Sequence, residues 1–75
     1  MWKKINKKDF NEIQQKAASL DKKGIIITFF IVAKNGIKYI GYPVNDIQEG
    51  FIFICDNGNH ILKLKDILVV WISDF

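Results

Sequence analysis

Cys55, Asp56 and His60 fall within six residues of one another. A thiol, a carboxylate and an imidazole at short range are the parts of an activated nucleophile, with the imidazole as base and the carboxylate as its orienter. The spacing works against that assembly. In an extended chain neighbouring side chains point to opposite faces, so Cys55 and Asp56 diverge, and Asn57-Gly58 turns the backbone before His60 is reached. The expected reading is a small apolar side chain beside a solvated turn. One histidine and one cysteine cannot build a zinc site, and Asp46 with Glu49 reads as a polar loop. No glycine-rich phosphate loop or paired-carboxylate motif is present. The expectation is a non-enzymatic protein with no catalytic residue, cofactor or metal.

Charge is the other feature that could do chemistry. The 75 residues carry a net charge of +3 with eleven basic and eight acidic side chains, and the imbalance is local. Residues 1–23 hold seven lysines against Asp9, Glu12 and Asp21, a balance of +4, whereas residues 24–75 are at −1. Every basic residue is lysine. The planar fork with which arginine grips phosphate or guanine in two places is therefore absent, and attraction to phosphate would act through point charges. Lys3, Lys4, Lys7, Lys8, Lys22 and Lys23 are the candidate nucleic-acid contacts, with Trp2 as a stacking residue. Lys8, Asn11, Gln15 and Lys22 share a polar helix flank that a phosphate backbone could follow. Solvation of an ordinary helix surface accounts for the same pattern.

The elements that must carry these residues follow from a change of period near Gly24. Before it, Phe10, Ile13, Ala17 and Leu20 recur at three- and four-residue spacing and line one face of a helix expected over residues 7–22. Asn6 is the expected N-cap, with Asp9 in the capping-box position and Ile5 and Phe10 as a hydrophobic staple. Gly24 is a natural left-handed stop, and Lys22 and Lys23 suit the helix C-terminus. After Gly24 the chain is β-branched and aromatic and is punctuated by Asn35-Gly36, read as a type I′ hairpin turn, and by a second Asn-Gly pair, Asn57-Gly58, that turns the chain again. Strands are expected over residues 25–33, 37–44, 51–56, 59–64 and 67–72. The fold class is α+β, mainly β: an N-terminal helix followed by a five-stranded antiparallel small barrel, in a single domain spanning residues 1–75.

The strand faces bear on partners. A half-solvated strand alternates apolar and polar residues, but Ile25, Ile27, Phe29 and Ile31 are backed by Ile26, Phe30 and Val32. Phe51 and Phe53 are likewise backed by Ile52 and Ile54, and Ile67, Val69 and Trp71 by Leu68, Val70 and Ile72. One helix of four turns cannot cover three outer strand faces. Self-association is expected, with Phe30, Phe51, Phe53, Trp71 and Phe75 as candidate interface residues. Tyr39 and Tyr42 lie on opposite faces of one strand, so one belongs to the core and one faces outward.

The order of elements resembles the Sm-like small barrels, a group that includes bacterial RNA chaperones and eukaryotic Sm proteins. The resemblance runs through Ile25 to Ala33, Lys34-Asn35-Gly36, Tyr39-Ile40-Gly41, Asp46, the Phe51-Ile52-Phe53-Ile54 strand with Asp56, and Lys65-Asp66-Ile67. Bacterial SH3-like barrels share the same pattern. The resemblance implies the fold and assembly through edge strands. It implies uridine-rich RNA binding less well, because Gly50 stands where an asparagine follows the loop aspartate in RNA-binding members. Lys65-Asp66 also replaces the Arg-Gly or Tyr-Lys-His element of the second motif.

The lone Cys55 fits a reducing, cytoplasmic setting. The N-terminus has no apolar stretch of a signal peptide, and the apolar run from Gly24 to Ala33 is about half the length of a membrane-spanning helix. The Ile-, Lys- and Asn-rich, arginine-free composition points to an AT-rich genome such as that of a phage or mobile element. Two functions are open: a self-associating module that binds or inhibits another macromolecule, or an Sm-like binder of RNA, single-stranded DNA or nucleotides. The expected partners are a second copy and another protein, with nucleic acid as the alternative and no membrane.

Overall fold

The computed structural model describes residues 2–43 and 50–73, and of Phe53 the backbone only. Within them the order is β1 (Lys3–Ile5), a 3₁₀ turn (Lys7–Asp9), α1 (Phe10–Lys22), β2 (Phe29–Ala33), β3 (Lys38–Pro43), β4 (Phe51–Cys55), β5 (Asn59–Lys63), a second 3₁₀ turn (Leu64–Asp66) and β6 (Ile67–Ile72). The strands form one six-stranded antiparallel sheet in the order β1-β6-β2-β3-β4-β5. An α+β chain with an N-terminal helix and an antiparallel sheet is therefore present.

The five-stranded barrel is corrected. Among the described residues there are six strands, and the sheet they form is open, with β1 and β5 as its edges. The additional strand is β1, in which Lys3, Lys4 and Ile5 pair with Ile72, Trp71 and Val70. Three residues that include two lysines have no strand period of their own, and only the neighbouring β6 makes them one. By taking the outer edge of β6, β1 occupies the edge that closure onto β5 would need.

The helix begins three residues later than expected, because Lys7–Asp9 forms a 3₁₀ turn first. Asn6 does act as a cap, its Oδ1 accepting the Lys8 N–H at 3.3 Å, but it caps that turn. Asp9 stands at the N-cap of α1 without a side-chain bond, so the capping box does not form. Ile5 and Phe10 are both buried, as a staple requires. Gly24 has φ +84° and the helix stops there, with the Ile25 N–H returning to the Leu20 carbonyl at 2.9 Å.

Residues 25–28 precede β2 rather than belonging to it. Ile25 and Ile26 are exposed while Ile27 is buried, and Thr28 and Ser73 extend the β2–β6 pairing by exchanging two bonds of 2.8 and 2.9 Å. The two Asn-Gly turns differ. At 57–58 both residues have positive φ, but Cys55 pairs with Asn59, so the loop holds three residues where a type I′ hairpin has two; at 35–36 only Gly36 has positive φ. There the Gly36 N–H bonds the Ala33 carbonyl and the Ala33 N–H the Ile37 carbonyl, both at 2.9 Å, so the type I′ expectation is corrected to a longer loop closed by a left-handed glycine.

The core lies between α1 and the inner sheet face. Phe10, Phe29, Ile31, Ile52, Ile54, Ile67, Val70 and Ile72 are essentially fully buried, and the Phe10 and Phe29 rings meet edge to face at 5.6 Å. Strict alternation would set Ile67 with Val69 and Trp71. A bulge intervenes: Val32 pairs with Val69 but Ala33 pairs with Ile67, leaving Leu68 unpaired and 62% exposed. The extra residue turns Ile67 to the same buried side as Val70 and Ile72.

β3 joins the two halves of the sheet, pairing with β2 through Lys38–Gly41 and with β4 through Tyr42 and Pro43. Gly41 sits at the handover, where a Cβ would overlap the Cys55 carbonyl. Only glycine lets the backbones come this close. Gly41→Ala is expected to cost more than about 2 kcal/mol, because the overlapping partner is backbone and cannot swing away; chemical denaturation measures it.

The helix face is rotated from the expected stripe. Gln14 and Ala18 join Phe10 and Ala17 in the buried set, while Ile13 and Leu20 are half-buried at its flanks. Both polar atoms of the Gln14 amide lack a hydrogen-bond partner among the described residues. An unsatisfied buried amide costs roughly 1–3 kcal/mol. Gln14→Met, similar in volume and apolar, is expected to raise stability by about that amount and the melting temperature by roughly 4–8 °C per kcal/mol; an unchanged or lower midpoint would show the amide to be bonded.

Candidate functional site

The residues that could have formed a nucleophile are tied into the β3–β4–β5 backbone instead. The Asp56 carboxylate accepts the Ile40 N–H at 2.8 Å, so it completes the β3 edge where pairing with β4 has not begun. His60 Nε2 lies 2.8 Å from the Asp56 main-chain oxygen, and its ring tilts against Tyr39 at 5.2 Å. Carboxylate and imidazole are thus each engaged with backbone. Cys55 stands opposite Tyr42, not His60, because β4 and β3 are in register there. Among the described residues no three His, Cys, Asp or Glu side chains converge on a point that could hold a metal ion.

The candidate lysines separate into groups. Lys22 and Lys23 are at the C-terminal end of α1, whereas Lys3 and Lys4 are on β1, and Lys7 and Lys8 are in the 3₁₀ turn that follows it. Lys7 Nζ donates to the Ile67 carbonyl at 2.6 Å, a long-range tie that fastens the 3₁₀ turn to the start of β6. Lys7 and Lys8 then line a depression with Gly50, Phe51, Lys63, Leu64 and Lys65. Lys63 and Lys65 were not among the expected contacts. They are more than fifty residues from Lys8, and only the path of β5 and the second 3₁₀ turn brings them alongside; no local pattern in the sequence marks this. Trp2 does not join this group: its ring meets Phe30 edge-on at 6.3 Å, on the outer sheet face.

That outer face holds two of the candidate interface residues directly opposite each other. In register across the sheet run Lys4, Trp71, Phe30 and Ile40, with Val69 and Val32 paired in the adjacent row. Phe30 and Trp71 are half-buried, and Trp2 (47%), Ile40 (53%) and Leu68 (62%) are well exposed. Phe51 is also half-buried but belongs to the lysine-lined depression. The Phe53 side chain and all of Phe75 lie outside the described residues, as do Asp46 and Glu49. Tyr39 packs against the core and Tyr42 is exposed, the division expected of opposite faces. No helix among the described residues is long and apolar enough to cross a membrane.

No protein-family model, curated protein or solved structure matches the chain.

The Tyr42 phenol is held above its ordinary value of 10.0, first by its hydrogen bond with Cys55, then by electrostatic repulsion from the same side chain, with desolvation and the Asp21 carboxylate adding smaller pushes. The folded state thus holds this proton more tightly than the unfolded chain does. Its contribution is fully present below the ordinary tyrosine value and is lost as pH rises through the folded one. The ultraviolet difference titration between the parent and Tyr42→Phe is expected to show a midpoint above pH 10, and Cys55→Ala to move it back down.

Proposed function

We propose that this protein is a non-enzymatic interaction module that self-associates through the outer face of its sheet and binds another macromolecule in that form. The observation that carries the reading is the row Trp71, Phe30 and Ile40, flanked by exposed Trp2 and Leu68, on a face that α1, the one α-helix among the described residues, does not cover. Apolar side chains left singly at a surface are ordinary, but a contiguous set crossing neighbouring strands is characteristic of an interface. A second copy is the favoured occupant. A chain of 8.7 kDa buries only about 60% of the surface its unfolded form exposes, less than a larger domain does, and pairing two such faces adds to its core.

A stable interface takes roughly 800 Å² from each partner. That is about a sixth of the 4942 Å² this chain exposes, so several strands must contribute rather than one side chain. The edge strands add a second route. Among the described residues β1 and β5 each have one side without a strand partner, and lysines at Lys3, Lys4 and Lys63 guard both against indiscriminate strand pairing. The strand order resembles that of Sm-like and SH3-like barrels, with β1 added on the outer side of β6, and on this reading the fold is an opened relative of those barrels. The sole thiol, Cys55, supports a reducing, cytoplasmic setting.

Light scattering at micromolar concentration is expected to give a mass above the monomer. Ile40→Glu, at a side chain 53% exposed and outside the core cluster, is expected to return it to the monomer with an unchanged circular dichroism spectrum. A monodisperse 8.7 kDa species in the parent would overturn the proposal.

A further inference from the structure

Two open depressions lie side by side and share Lys7. One, of about 620 Å³, is lined by Lys7, Lys8, Gly50, Phe51, Lys63, Leu64 and Lys65. The other, of about 400 Å³, is lined by Lys4, Ile5, Asn6, Lys7, Leu68 and Val69. Together they hold five lysines and no described carboxylate, above a floor that is largely apolar. Two further depressions, each sharing one lysine with this pair, bring lysines and carboxylates together. A third depression sets Lys3, Lys4 and Lys16 beside Asp9 and Glu12, and a fourth sets Lys34 and Lys63 beside Asp66. Asp66 follows Lys65 in the chain and by proximity would oppose an approaching phosphate. The 3₁₀ turn at Leu64–Asp66 separates the two, placing Lys65 in the lysine-lined depression and Asp66 in another.

We infer that this Lys4–Lys7–Lys8–Lys63–Lys65 track binds a single strand of nucleic acid through its phosphates, without reading base sequence or sugar. The charge is concentrated along a path, which suits an extended polyanion better than a compact one. Lysine contributes point charges and no two-pronged contact to a base edge. Phe51 and Leu64 offer bases an apolar surface that all four can use. In the larger depression no described lining side chain carries a hydrogen-bond acceptor, so a ribose 2′-hydroxyl finds no side-chain acceptor for its proton there, and the lysines able to donate to its oxygen serve phosphate equally. Asn6 in the smaller one already uses its carbonyl oxygen on the Lys8 N–H. Lys7 is pre-positioned by the Ile67 carbonyl, which takes one of its three ammonium protons and leaves two for a phosphate.

The test is fluorescence anisotropy of the full chain with labelled oligo-dU and oligo-rU of about 12 nucleotides, within the usual footprint of small single-strand binders, titrated from about 20 to about 200 mM salt. The parent is expected to bind both within about threefold of each other. The triple variant Lys8→Gln, Lys63→Gln, Lys65→Gln keeps Lys7 and its structural tie. It is expected to lose at least about tenfold in affinity at low salt, with a salt slope shallower by about two, at roughly 0.7 per lost phosphate contact. Circular dichroism and melting of that variant should match the parent. Lys22→Gln with Lys23→Gln, at the far end of α1, is expected to bind as the parent does. The inference is overturned by absence of binding at low salt, by equal binding of the triple variant, by an equal loss in the Lys22 and Lys23 variant, by a tenfold preference for either sugar, or by a polyglutamate peptide that binds as tightly as the oligonucleotides.

Discussion

The edge-to-face packing of Phe10 on Phe29 fixes the side of the sheet on which α1 lies, and the consequences of that choice reach most of the molecule. Around that pair gather Ile31, Ile52, Ile54, Ile67, Val70 and Ile72, all withdrawn from water. Each such side chain contributes roughly 1.5–3 kcal/mol by burial, and a small domain has few of them to offset the entropy of ordering its backbone. A single helix can close only one face. Phe30, Val32, Val69 and Trp71 on the other face are therefore left at the surface by the same packing that buries their neighbours. The amide of Gln14, in the middle of the helix's buried face and without a partner among the described residues, is a cost this small core carries.

Two local devices make the single core geometrically possible. Gly41 lets β3 pass close to the Cys55 carbonyl, so that one strand can serve β2 along its first part and β4 along its last. The bulge at Leu68 shifts β6 by one residue, without which Ile67 would face away from the core. β1 then adds to the free side of β6, and the Lys7 bond to the Ile67 carbonyl secures the turn that follows. The tie has a second effect: it brings the N-terminal lysines beside those of β5 and the Leu64–Asp66 turn. One end of the molecule thus becomes basic and the outer sheet face apolar, so the proposed strand track and the proposed self-association surface occupy different ground apart from the shared margin at Lys4, Leu68 and Val69.

Much of the fold was legible in the chain. The change of period at Gly24, the helix stop, β6 at its full length and the cores of the other strands follow from patterns that repeat within a few residues. So does the division of Tyr39 from Tyr42. What was not legible depends on partners far along the chain. Lys3-Lys4-Ile5 is a strand only because β6 lies beside it. Residues 25–27 have strand-forming side chains but no ladder, and Asn35-Gly36 makes a different turn from Asn57-Gly58 although the dipeptide is the same. The assignment of faces in β6 fails at Ile67 and Leu68 because a bulge is a property of two strands rather than one.

The sequence by itself determined the composition of the faces, the excess of lysine in the first 23 residues, the absence of arginine and the poor spacing of Cys55, Asp56 and His60 for nucleophilic chemistry. These are local properties, set by residue type and by a period of two or of 3.6. Only the tertiary structure decided that the sheet is open, that Asp56 and His60 serve the backbone, and that Lys63 and Lys65 stand with Lys7 and Lys8 while Asp66 lines a different depression, beside Lys34 and Lys63. The physical reason is that each of these depends on the register between strands distant in the chain, and register is fixed by the burial of one shared core, which no short stretch of sequence contains.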